Sequence, residues 1–227
     1  MFRKLYRPNT KNYRKTIGKR GRTDAEVNFL KLKFASDLAV GLAHVHGMDD
    51  RPSMVHYDLH LGNIAVVAGC TPKLNDFNIA EFPRYNPKTN QTCGFRSWTH
   101  DPWWRAPEEV TIGNDNMLDE KVDIYSLGNL IFYLLTRRWP RGRQTLRGGD
   151  EERKAVAQGI RPQLTDDVAE STDPALVILK EAMDMCYEPD PMRRPSSRHV
   201  ASLLIRSLAA LQNNFSNVTL ERLEISL

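Results

Sequence analysis

His56-Tyr57-Asp58-Leu59-His60-Leu61-Gly62-Asn63 decides how the rest of this 227-residue chain is read. Directly after it, Ile64-Ala65-Val66-Val67 is a short apolar run rich in branched residues, which predicts a strand. Ala68-Gly69-Cys70-Thr71-Pro72 turns the chain, and Lys73-Leu74-Asn75 pairs back as a hairpin. Asp58 and Asn63 then sit on one side of the hairpin and Asp76 leaves its other end, so two carboxylates and a carboxamide converge. All three offer hard oxygen atoms. Such a set suits Mg2+, which takes few protein ligands and keeps water and phosphate for the remainder. Taken singly, each residue has a structural reading: Asp58 caps a turn, Asn63 fixes the loop, Asp76 opens another turn. The triple at this spacing favours chemistry. Phosphoryl transfer asks for this set, with metal ions to neutralise phosphates and a carboxylate to accept a hydroxyl proton.

Outward from the loop the chain reads as helical. On the upstream side, Asp24 is placed to cap a helix. Apolar residues then recur at Phe29, Leu30, Leu32, Phe34, Leu38, Ala39, Leu42, Ala43 and Val45, and Gly47 is placed to end the stripe. Residues 77–105 are polar and proline-containing and predict a long loop, a length usually tied to function or disorder. Asp119 begins another helix, with apolar residues from Val122 to Leu135 on most of its sides, the pattern of a buried helix. Three more helical patterns follow, at 151–158, 174–186 and 197–212.

Composition sets the limits. The chain is 41% hydrophobic and 26% charged, ordinary for a globular protein. Its apolar runs fall short of a membrane span; Ile124 to Leu135 is interrupted by Ser126, Gly128 and Asn129. Cys70, Cys93 and Cys186 are scattered and odd in number, which argues against a disulfide framework and for a reducing, intracellular and cytoplasmic setting. The net charge of +4 hides nine Lys or Arg in residues 1–23 with no acid, leaving the remainder at −5. A basic leader attracts acidic partners, but no groove-reading motif accompanies it, so nucleic acid is not the expected partner.

The loop resembles the protein-kinase pattern His-Arg-Asp-Leu-x-x-x-Asn. Asp76-Phe77-Asn78 resembles Asp-Phe-Gly, and Ala106-Pro107-Glu108 matches Ala-Pro-Glu. Asp123-Ile124-Tyr125-Ser126-Leu127-Gly128 looks like the start of the buried helix F of kinases. Gly159-Ile160-Arg161-Pro162-Gln163-Leu164 is similar to the stretch after helix G, and Asp190-Pro191-Met192-Arg193-Arg194-Pro195-Ser196 to the segment before the last helix. In kinase order over about 24–212, these motifs identify the chain as similar to the C-terminal lobe of the protein kinase superfamily. The resemblance implies a mainly α fold with a small β-hairpin beside the catalytic loop. Residues 1–23 are then a basic leader similar to the hinge-side helix D region, and 213–227 a tail.

By the same resemblance Asp58 accepts or orients the substrate hydroxyl proton, with His60 at the loop position that meets the transferred phosphate. Asn63 and Asp76 hold Mg2+, and Ile64, Ala65 and Val66 form the floor under the adenine of ATP. His56 and Phe77 stack, Asp123 anchors the loop backbone, and Glu108 pairs with Arg194. A protein carrying Ser or Thr is the implied substrate, because the tyrosine-kinase versions of the loop are absent.

Four departures qualify this. Tyr57 replaces an arginine that usually receives an activation-loop phosphate, so Thr89, Thr92, Ser97 and Thr99 are weak phosphosite candidates. His60 replaces a lysine. Asn78 replaces a glycine and is expected to tolerate left-handed backbone. Asp101 replaces a threonine, and a second carboxylate there is expected to repel Asp58 unless it is screened or protonated. No Gly-x-Gly-x-x-Gly occurs, and 23 residues before the first long helix do not build an N-terminal lobe. The 227-residue chain alone is therefore expected to hold ATP weakly and to transfer little phosphate. The alternative reading is a pseudokinase or scaffold that binds a protein partner through the same surface.

Overall fold

The computed structural model describes residues 23–47, 53–89, 92–96, 101–111, 117–142 and 149–212. Helix α1 (Asp24–His46) is capped by Thr23, one residue before the expected Asp24. Thr23 Oγ1 accepts the Glu26 N–H at 3.3 Å, and Glu26 Oε2 accepts the Thr23 N–H at 2.6 Å. Only a hydroxyl three residues ahead of a glutamate closes this reciprocal box, which is why threonine wins the position. Gly47 ends the helix as expected, at φ 97°. The α1 stripe of Leu32, Ala35, Leu38, Ala39 and Leu42 is fully buried.

The loop leads into β1 (Ile64–Val67), which pairs antiparallel with β2 (Thr71–Leu74), Ile64 opposite Leu74 and Val67 opposite Thr71. β2 starts two residues earlier than expected. Pro72 is tolerated because a two-stranded sheet leaves its nitrogen without a ladder partner to serve. Gly69 and Cys70 both adopt positive φ to make the turn. Asn75 falls just outside β2, yet its N–H donates to the Asn63 carbonyl at 2.9 Å. That bond sets Asp76 beside the loop.

Residues 77–105 are largely irregular, as expected, but they contain β3 (Phe95–Arg96), which pairs with β4 (Met117–Leu118). A two-residue strand has no periodicity to read. The short helix α2 (Pro107–Val110) precedes β4. Helix α3 (Lys121–Thr136) begins two residues after Asp119, whose carboxylate accepts the Lys121 N–H at 3.0 Å from just outside the first turn. Every residue of α3 from Val122 to Leu135 is buried, as the all-round apolar pattern implied. Gly128 is needed there: a Cβ would stand 2.9 Å from the Cβ of Cys186.

Helices α4 (Asp150–Ala157), α5 (Asp166–Ala169), α6 (Pro174–Cys186) and α7 (Ser197–Gln212) complete the order. α1 packs against α7, α6, α3 and β2, and α3 against α6, so one core joins the helices under the hairpin. The fold is mainly α, and among the described residues the sheets are two-stranded pairs. No described helix is long and apolar enough to cross a membrane. Cys70 and Cys186 are buried and Cys93 is exposed, all three as free thiols. Burial pushes the Cys186 thiol up to about 12, so it packs as an inert group. Residues 1–22, the tail 213–227, Ser97 and Thr99 lie outside the described residues.

Candidate active site

Asp123, in the first turn of α3 and buried, organises the loop. Its Oδ2 accepts the His56 N–H at 2.7 Å and its Oδ1 the Tyr57 N–H at 2.9 Å. His46, the last residue of α1, brings Nε2 to 2.9 Å from Oδ2. The anchoring by Asp123 is as expected; the His46 contact carried no sequence signal beyond a histidine near a helix end. Tyr57 takes a positive φ of 63° between these bonds and the next carbonyl. Its ring is buried, edge-on to Phe95 at 4.8 Å, and the Arg105 guanidinium lies 5.4 Å from its centroid. The expected His56–Phe77 stack is present at 4.6 Å, and His56 Nε2 donates to the Asn75 carbonyl at 3.1 Å.

Asp58 is about a quarter exposed, and both its oxygens are engaged. Arg105 Nη2 donates to Oδ1 at 2.7 Å, and Asn63 Nδ2 donates to Oδ2 at 3.1 Å and to the Asp58 carbonyl at 2.8 Å. His60 Nε2 faces Oδ2 at 3.6 Å, longer than a hydrogen bond. Burial alone would raise the Asp58 carboxyl; the neighbouring His60 imidazole, the Arg105 guanidinium and the Asn63 amide outweigh it and hold it at about 2. The repulsion expected from Asp101 is therefore corrected. Asp101 is exposed, and Asp58 is shifted down rather than up.

Asn63 is buried and spends its Nδ2 on Asp58, which leaves Oδ1 as the amide's acceptor. Asp76 is exposed at φ 65°, immediately after the residue bonded to the Asn63 backbone. The tolerance expected of Asn78 is not called upon: Asn78 lies in a turn without positive φ, and Asp76 takes the left-handed backbone instead. Two oxygen ligands suit Mg2+, which keeps several waters, and among the described residues no group of three or more His, Cys, Asp or Glu side chains forms a metal cage. Ala65, half-buried, pairs with Lys73 in the hairpin.

Sequence reasoning missed Arg105 and Glu109. Arg105 Nη1 donates to the Tyr57 carbonyl and approaches Glu109 Oε1 at 3.3 Å. Glu109 Oε2 accepts the Ala106 N–H at 2.7 Å. Glu109 is buried, and its burial pushes the carboxyl up to about 7 against the opposing pull of Arg105 and the Ala106 N–H. The available signal was a charged residue on either side of Ala106-Pro107-Glu108, where a buried helix start leaves no solvent for an unpaired charge. Beside this cluster, the Trp104 carbonyl accepts from Ser126 Oγ at 2.9 Å and Asn129 Nδ2 at 3.0 Å, which gives the polar residues of α3 their use. The Trp104 ring lies 6.3 Å from His60 and edge-on to Trp139 at 5.7 Å.

Glu108 pairs with Arg194 as expected, Nη1 to Oε1 at 2.6 Å and Nη2 to Oε2 at 3.1 Å. Arg194 also donates to the carbonyls of Glu188 at 2.9 Å and Lys121 at 2.7 Å.

The sequence is similar to kinases throughout this region. It is 29% identical over 178 residues to the dual specificity protein kinase shkA of Dictyostelium discoideum, covering 77% of this chain and 30% of that protein. It is 29% identical over 171 residues to the probable serine/threonine-protein kinase roco9 of the same organism, covering 74% of this chain and 4% of that protein. MDIS1-interacting receptor like kinase 1 of Arabidopsis thaliana is 29% identical over 187 residues, covering 77% and 17%. The chain spans less than a third of the length of these relatives. The family model described as protein kinase domain matches residues 11–204, and with the loop, the Asp123 anchor and the Glu108–Arg194 pair on the page, the chain belongs to the protein kinase domain family.

Proposed function

We propose that this chain is the C-terminal lobe of a protein kinase, 24–212, and transfers phosphate from ATP to Ser or Thr of a protein substrate. The observation that carries the proposal is Asp58: a carboxylate held ionised, fixed by Asn63, at the edge of a hairpin whose other end presents Asp76. Asp58 would orient the substrate hydroxyl or accept its proton, and a carboxyl held at about 2 stays ionised across physiological pH and serves as the hydrogen-bond acceptor that orients it. Asn63 Oδ1 and Asp76 would hold Mg2+, which when bound neutralises the phosphates. Ala65, half-buried in β1 between Ile64 and Val66, would lie under the adenine ring. His60 faces the side of Asp58 where the transferred phosphate would arrive. The relatives' names include both dual specificity and serine/threonine kinases, and a Ser or Thr hydroxyl is the acceptor common to both.

The described residues lie on one side of ATP, so transfer is measured over long incubations at millimolar Mg–ATP with a mixed protein substrate and radiolabel. The expected result is weak label that requires the divalent metal and disappears in Asp58→Asn. Label unchanged by that substitution overturns the proposal. Paramagnetic Mn2+ gives a second arm: it should broaden the amide signals of Asn63 and Asp76, and Asp76→Asn should weaken the effect.

A further inference from the structure

His60 takes the place of a lysine by the family resemblance, and Tyr57 the place of an arginine. The structure shows what His60 does instead. The Gly62 N–H donates to His60 Nδ1 at 2.9 Å, so the imidazole caps the turn Leu61–Asn63. A backbone N–H can only donate, so Nδ1 carries a lone pair and the ring hydrogen sits on Nε2, the atom that faces Asp58. Gly62 permits the fold-back: a Cβ there would stand 2.6 Å from the His60 ring. The orientation of the His60 ring is thereby fixed.

Arg105 reaches Asp58 from the segment before α2, with Nη2 at 2.7 Å from Oδ1, while Nη1 holds the Tyr57 carbonyl and meets Glu109. Its side chain is largely buried, and Glu109 behind it is almost wholly so. A guanidinium flanked by two carboxylates and a carbonyl has a single low-energy placement, because each of its donors is directional.

We infer that Arg105, oriented by Glu109, supplies to Asp58 a positive charge from outside the loop, which carries Tyr57 in place of an arginine. Arg105 is a positioning residue for the reacting carboxylate. The inference rests on the phosphotransfer reading of Asp58, and one of its tests does not depend on turnover.

The decisive variant is Arg105→Met, with Arg105→Met/Glu109→Gln beside it so that no lone buried charge threatens folding; circular dichroism checks both. In the transfer assay kcat should fall on the order of 100-fold, with KM for ATP changed by less than about 3-fold, as for an interaction tightened in the transition state. Adding His60→Lys to either background should recover transfer to within about tenfold, because a cation is restored at the same carboxylate. A merely structural arginine gives no such rescue. Retained transfer in the double variant, or failure of His60→Lys to recover it, overturns the inference. Independently of activity, amide exchange at Tyr57 and Asp58 should quicken in Arg105→Met/Glu109→Gln, and an unchanged rate overturns the inference. If the unaltered chain shows no Asp58-dependent transfer, the phosphotransfer reading fails by itself, and the exchange rates still decide this one.

Discussion

Glu108 and Glu109 are neighbours on α2, and each meets an arginine, but the two pairs do different work. Glu108 meets Arg194, which is fully buried and also bonded to main-chain carbonyls of Lys121 and Glu188. That arginine ties α2, α3 and the turn before α7 into one unit and has nothing left to offer a ligand. Glu109 meets Arg105, whose other side is turned to Asp58, a carboxylate about a quarter exposed. The first pair is closed on itself and the second opens onto the site. Adjacent side chains on one helix turn thus separate what holds the helices together from what fixes Asp58.

The sharpest way to break the comparison is Arg194→Met. It leaves Glu108 and two carbonyls buried without a donor, and the expected loss is about 3–5 kcal/mol in urea unfolding. If the loss were no larger than for a surface residue, the closed pair would not be structural. Asp123→Ala comes next. It strands the His56 and Tyr57 N–H groups and the His46 ring, and a loss of roughly 2–4 kcal/mol should appear together with faster amide exchange in the loop.

Glu109→Gln sharpens the contrast through pH. The folded carboxyl lies at about 7, above its usual 4.5, because burial outweighs Arg105 and the Ala106 N–H, with Glu108 and Asp123 adding to the rise. A raised carboxyl binds more protons in the folded state, so its stabilising share is full below the unfolded value and is lost as pH rises through the folded value. Relative to Glu109→Gln, the unaltered chain should therefore lose stability between about pH 4.5 and 7, by up to roughly 1.4 kcal/mol per pH unit. Parallel stability curves for the two proteins would show that Glu109 does not titrate on folding. The smallest effect is expected from Lys121→Met. Lys121 Nζ donates to the Arg194 carbonyl at 2.6 Å, and losing that partly buried bond should remove about 1 kcal/mol.

Much of this was legible in the sequence because it rests on periodicity and on local spacing. The α1 stripe, the all-round apolar α3 and the hairpin after the loop follow from residues a few positions apart. The Asp123 anchor, the His56–Phe77 stack and the Glu108–Arg194 pair were legible through the resemblance. What stayed hidden depends on which way a side chain turns. Arg105 is 47 residues from Asp58, and although its place beside Ala106-Pro107-Glu108 hints at a buried charge, nothing local names the carboxylate it meets. Asp101 illustrates the reverse case. Its position suggested repulsion of Asp58, but Asp101 is exposed and Asp58 is shifted down. The positive φ at Asp76 carried no sequence signal, because an aspartate can take or leave such a turn.

The placement of Trp104 has an optical consequence. Its indole is buried, set against the His60 ring and edge-on to Trp139, and its own carbonyl is fastened to α3. Indole emission responds to a neighbouring imidazole, so a ligand that shifted the His60 ring should change the emission of Trp104, and a titration read without a dye checks this.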